Sequence, residues 1–91
     1  MTSKPADISI AVVIPAFNEE NAIGMVLKDI PKDWVDLIVV VDNNSSDFTK
    51  EKALDQGAIV LEETYQGYGA SCLCGINYLL NQLLTGRAEE I

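Results

Sequence analysis

The chain has 91 residues, 48% of them hydrophobic and 22% charged, without repeats or low-complexity tracts, which places it among ordinary globular chains of one domain at most. At this size about 60 to 65% of the unfolded surface can be buried, so a core is feasible but thin. Six basic residues against 14 acidic ones leave a net charge of −8, which opposes attachment to nucleic acid or to an anionic membrane.

The amino terminus, Met1 to Asp7, carries one Lys and no apolar run, so it does not read as a secretory signal. Nowhere do 18 or more apolar residues run together, so no bilayer span is expected. These features lead to an expectation of cytoplasmic location, with any membrane association left to parts outside this segment. Ile8 to Pro15 then reads as a first strand, apolar on both faces and rich in β-branched residues. It stops in Asn18-Glu19-Glu20. From Asn21 to Ile30 the apolar positions Ala22, Ile23, Val26, Leu27 and Ile30 recur at helical spacing, and Pro31 closes the element.

Leu37 to Asp42 is a second, central-looking strand that ends in an acid. Ser45 or Ser46 is placed to cap a helix over 46 to 56, with Asp47 in its first turn and Gly57 supplying a left-handed terminus. Asn44 is a residue type that tolerates the left-handed region a tight turn requires. Ala58 to Glu62 forms a short third strand. Gly67-Tyr68-Gly69 leads into a last helix that ends near Gly86, with Leu73, Ile76, Leu80, Leu83 and Leu84 on one stripe and Ala70, Ser71, Cys72 and Gly75 crowded near its start.

Cys72 and Cys74 lie two apart, which on a helix turns them about 200° from each other, so they cannot pair locally. Without His or a CxxC spacing, no zinc site is expected, and two buried free thiols are the simpler reading. Right-handed crossovers put three parallel strands in the spatial order 3-2-1, the first half of a doubly wound α/β sheet. The first strand then lies at an edge without a charge or an internal Pro to discourage pairing. Another strand, or a second copy of the chain, is expected to cover it.

Two apolar strands that end abruptly in polar loops bring those loops to one sheet edge, where open α/β sheets bind ligands. A dinucleotide-binding domain would need Gly-x-Gly-x-x-Gly after the first strand, where this chain has Pro-Ala-Phe-Asn-Glu-Glu-Asn. A receiver-like module would need paired acids after the first strand and a downstream Lys.

The blocks Val13 to Glu20, Val40 to Asp47 and Gln66 to Ala70, in this order and spacing, resemble the amino-terminal nucleotide-binding half of family 2 inverting glycosyltransferases of the GT-A fold. The branch most similar is that of dolichol-phosphate and polyprenyl-phosphate sugar synthases. The resemblance implies a three-layer, Rossmann-like β-α-β-α-β-α half domain that binds a nucleotide-diphosphate sugar, UDP- or GDP-linked. Pro15, Ala16 and Phe17 would give apolar contact to base and ribose, and Glu19 a carboxylate acceptor, while Glu20, Ser46 and Asp47 serve helix ends.

Where that family commonly has two acids, this chain has Asp42 and Asn43, which leaves the base open between uracil and guanine. In the third block Gly67, Tyr68 and Gly69 replace a frequent Gly-Lys-Gly, so the cation of the Lys form is missing. Two roles stay open for these glycines: backbone contact to a phosphate, or close packing of helix on sheet. The resemblance also implies a Mg²⁺ or Mn²⁺ ion held by an Asp-x-Asp motif on a fourth strand, with a catalytic base beyond it. Those ligands are not in this chain, which stops at Ile91 about where that strand is expected. The segment alone is expected to recognise a donor without transferring the sugar. The alternative is a stand-alone nucleotide-binding or self-associating module.

Overall fold

The computed structural model describes the backbone of residues 4–90 and the side chains of residues 4–83. Its elements follow the chain as β1 (Ala11–Ala16), α1 (Ile23–Asp29), β2 (Leu37–Asp42), α2 (Thr49–Asp55), β3 (Ile59–Glu62) and α3 (Tyr68–Glu90). All strand pairs are parallel and β2 is central, as right-handed crossovers require. The register sets Ala16 opposite Asp42 and Asp42 opposite Glu62, so the three strands end together at one edge.

Side chains alternate across the sheet, and the two faces of β2 are packed differently. Val40 belongs to a cluster with Ala16, Ile23, Leu27, Ala53 and Ala58, the core between the sheet and the helices α1 and α2. Val39 and Val41, fully buried, face the opposite way, where α3 crosses β1 and β2. A Cβ on the buried Gly75 would collide with the methyl groups of Val13, so a glycine is what allows α3 to lie this close.

Several boundaries differ from the expected ones for identifiable reasons. The first strand begins at Ala11 rather than Ile8, because Ile10 is held by a side chain: its N–H donates to Asp36 Oδ2 at 2.8 Å. Its carbonyl accepts from the Asp36 N–H, also at 2.8 Å. Lys4 pairs with the other oxygen of the same carboxylate at 3.1 Å. Hydrogen bonding from Ile10 first, then from Lys4, keeps Asp36 below the usual carboxylate range.

Helix α1 starts at Ile23 rather than at residue 21, without a capping side chain. Helix α2 starts at Thr49, not at 46, and neither Ser45 nor Ser46 caps it; both serve the neighbouring loop. Gly57 takes φ +83° as expected, and Asn44 takes +66°.

Helix α3 runs on through Gly86, since a single glycine costs a helix only about 1 kcal/mol. The largest correction concerns its expected apolar stripe. Leu73 is 62% exposed, and Ile76, Leu80 and Leu83 are exposed as well, while Ser71 and Gly75 face the sheet. The side chain of Leu84 lies outside the described residues. Close approach selected the small residues, and Leu73, Ile76, Leu80 and Leu83 were left exposed. Among the described residues the outer edge of β1 has no strand beside it, and no helix is long and apolar enough to cross a membrane.

Candidate functional site

The site is built where β1 and β2 end. The Asn43 N–H donates to the Ala16 carbonyl at 2.8 Å, which carries the strand pairing into the loops. Beyond it the two loops are stitched by side chains. Asn18, at φ +52°, donates its N–H to Ser45 Oγ at 2.9 Å, and its Oδ1 accepts from the Ser46 N–H at 2.9 Å. The Glu19 N–H donates to Thr49 Oγ1 at 2.7 Å, and the Glu20 N–H to Asp47 Oδ2 at 3.3 Å. Thr49 is fully buried, and both its hydroxyl and its N–H donate to Asp47 Oδ1.

Asp47 therefore serves the start of α2, the helix-end role expected of it, and also grips the facing loop. Desolvation pushes its carboxyl up, but the donors from Thr49 and Glu20 outweigh this and hold it below the ordinary carboxylate range.

The third loop hangs on Asn43. Its Nδ2 donates to the carbonyls of Glu63 and Tyr65, each at 2.9 Å, and its Oδ1 accepts from the Gly67 N–H at 3.0 Å. Gln66 Nε2 donates to the Asn43 carbonyl at 3.0 Å. A carboxylate at this position would face two carbonyl oxygens with nothing to donate, which accounts for an amide where two acids are the commoner pattern. Gly67 sits at φ +132°, open essentially to glycine alone. A Cβ on Gly67 or Gly69 would meet nothing within 4 Å, so these glycines do not serve helix packing; Gly75 does.

Three hollows open along this edge. The first, about 170 Å³, is lined by Pro15, Ala16, Phe17, Asn43, Tyr68 and Ser71, and so draws on all three sequence blocks. Tyr68 is 76% exposed and Phe17 49%, leaving both rings available to a flat ligand. The second, about 130 Å³, lies on the α2 side of the sheet between Asp42, Asn44, Ser45, Glu62, Glu63 and Thr64. Asp42 is only 5% exposed and its Oδ1 has no partner. Glu62 there pairs with Lys50 and holds that ammonium above its usual range, with a smaller contribution from Asp42.

The third hollow, about 140 Å³, is lined by Ile14, Pro15, Ala16, Glu19, Ala22, Ile23 and Val26. Asp42 and Glu19 thus stand in different hollows, and neither lines the one that gathers Pro15, Ala16, Phe17, Asn43 and Tyr68. Gly67 and Gly69 line none of these three. Ser71 also lines the first hollow, although in the sequence a small residue near a helix start reads as packing. Only its buried, unpaired hydroxyl marks it.

Among the described residues no group of three or more His, Cys, Asp or Glu stands so as to hold a metal ion. Cys72 and Cys74 are free and half-buried rather than fully buried, and burial first, then Glu63, pushes the Cys74 thiol up.

The family model for glycosyl transferase family 2 matches residues 11–85. The chain belongs to that family. This glycosyltransferase-family chain is 47% identical over 64 residues to a dolichyl-phosphate hexose transferase of Haloferax volcanii, a match covering 68% of this chain and 28% of that protein. It is 44% identical over 72 residues to the protein MJ1222 of Methanocaldococcus jannaschii, covering 78% of this chain and 30% of the relative.

Its fold is similar to that of glucosyl-3-phosphoglycerate synthase from Mycobacterium tuberculosis, solved in complex with Mn²⁺, UDP-glucose and glycerol 3-phosphate. The TM-score is 0.66 at 32% identity, over 74% of this chain and 28% of that one. The chain spans about 30% of the length of the curated relatives it matches. The β-α-β-α-β-α reading and its strand order agree with this family fold.

Proposed function

We propose that this chain is the donor-recognition part of a glycosyltransferase, binding the nucleotide of a nucleotide-diphosphate sugar. The whole enzyme would pass the sugar, with inversion, to a hydroxyl or lipid-phosphate acceptor. The observation that carries this reading is the hollow of about 170 Å³ where Pro15, Ala16 and Phe17 from the first block meet Asn43 from the second and Tyr68 from the third. Full ligand sites run to roughly 300–1,000 Å³, so this one has room for a ring, with the remainder of a nucleotide lying across the open edge.

Apolar walls around a ring and exposed aromatic side chains beside it suit a nucleobase. Gly67, Tyr68 and Gly69 then sit where backbone N–H groups at the start of α3 can face a phosphate, without the cation a Lys would bring. Glu19 and Asp42, in the flanking hollows, fall outside the ring pocket; they contact the ligand where it extends past that pocket. A Mg²⁺ or Mn²⁺ ion enters through residues other than these, so this chain by itself binds without transferring. Calorimetric titration with UDP, GDP and UDP-glucose, with and without Mn²⁺, tests the reading. Weak binding unaffected by the metal is expected, and absence of binding by every nucleotide overturns it.

The self-associating alternative draws on the uncovered edge of β1 and the exposed leucines of α3. The net charge of −8 works against it. Sedimentation that shows a monomer at every concentration removes it.

A further inference from the structure

Beneath the hollow lined by Pro15, Ala16, Phe17, Asn43, Tyr68 and Ser71 lies a buried polar group that the protein leaves unused. Ser71 is 0% exposed, and its Oγ has no hydrogen-bond partner. Its N–H is spent in the first turn of α3, on the Gly67 carbonyl at 3.2 Å. A serine inside a helix commonly returns its hydroxyl to the carbonyl one turn back; this one does not. Burying a hydroxyl without a partner is destabilising, so the fold gives up stability at this position.

The other candidates for reading a ligand in this hollow are already committed. Asn43 uses both amide hydrogens on Glu63 and Tyr65, and its Oδ1 on Gly67. Asp42 lies in a separate hollow on the opposite face of β2, as the alternation of side chains along the strand demands. Pro15, Ala16 and Phe17 have no hydrogen-bonding side chain, and Tyr68 is mostly in solvent.

We propose that the Ser71 hydroxyl reads the polar edge of the bound nucleobase and sets the base preference, a task the loop motifs alone would assign to Asp42 and Asn43. The proposal rests on the reading of this hollow as the nucleotide site. A hydroxyl both donates and accepts, so it can meet a ring N–H or an exocyclic oxygen. Where the other polar side chains of the hollow are committed, as Asn43 is, or mostly in solvent, as Tyr68 is, a single polar contact carries most of the discrimination, because a ring that fails to make it leaves a buried group unpaired.

Ser71→Ala gives two effects of opposite sign. Removing an unsatisfied hydroxyl at nearly constant volume raises the melting temperature of the apo protein, by about 4 °C. The same change weakens binding of the preferred nucleotide about 5- to 10-fold, the weight of one neutral hydrogen bond, and narrows the preference between UDP and GDP. Calorimetry of the full 91-residue chain and of the variant with both nucleotides reads these effects directly.

If the wild-type protein binds while Ser71→Ala keeps the same affinity and preference, the hydroxyl does not read the base and the proposal falls alone. A preference that moves with Asp42→Asn but not with Ser71→Ala also overturns it. If the wild-type chain binds no nucleotide, the site reading itself fails and takes this proposal with it.

Discussion

The two sides of the carboxyl edge are built to opposite specifications. On the α2 side, Asn18, Glu19 and Glu20 are tied to Ser45, Ser46, Asp47 and Thr49, and nearly every polar group in the seam has been given a partner. On the α3 side, a helix is drawn onto the sheet by small residues, leaving a hollow and an unpaired hydroxyl beneath it. Each side keeps one buried oxygen without a partner, Asp42 Oδ1 in the hollow on the α2 side and Ser71 Oγ on the α3 side. The difference is that side-chain hydrogen bonds tie the two loops together on the first, while close packing of small residues shapes the second. Asn43 joins them, since its backbone continues the strand pairing while its amide carries the third loop.

The largest effect should therefore come from the joint. Asn43→Asp removes both amide donors and sets a carboxylate against two carbonyl oxygens, and should cost about 4 kcal/mol of folding stability. Urea unfolding measures it. If the loss is small, Asn43 does not bear the third loop, and the two sides are more independent than the hydrogen bonds imply.

Next comes the packing of α3. Gly75→Ala drives a methyl group into Val13 and should cost about 2 kcal/mol, with α3 lifted from the sheet. Thermal melting reads the cost, and a change in nucleotide affinity alongside it would show that the hollow depends on this close approach. A neutral substitution would mean that α3 has slack, weakening the contrast between the sides.

The smallest and most conditional effect belongs to the seam. Asp47 is held below its ordinary value of 3.8, so its carboxylate adds stability above that value and loses it as the pH falls through the lower, folded-state value. The stability gap between the wild type and Asp47→Asn should be present at neutral pH and close in strong acid. A gap that widens on acidification would reverse the sign and remove Asp47 from the seam.

The sheet and its order were legible in the chain because long β-branched runs that end in polar residues have few other uses, and right-handed crossovers leave little freedom of order. The paired loops and the family were legible for a related reason: Pro15 to Glu20 and Asp42 to Asp47 combine residue types and spacing that local structure alone does not require. The helix starts were less so. Ser45 and Ser46 look like caps in isolation, but a partner loop 27 or 28 residues away competes for the same groups.

Local chemistry by itself thus determined the strands, their parallel order, the turn glycine at 57 and the edge at which a ligand would bind. Tertiary structure decided how that edge is divided. It placed Asp42 and Glu19 in separate hollows, left Leu73, Ile76, Leu80 and Leu83 of α3 exposed, spent Asn43 on a loop and left the Ser71 hydroxyl without a partner. The physical reason is that burial and hydrogen-bond satisfaction are properties of surroundings: the same serine is packing or recognition according to whether its neighbours in space leave its hydroxyl a partner.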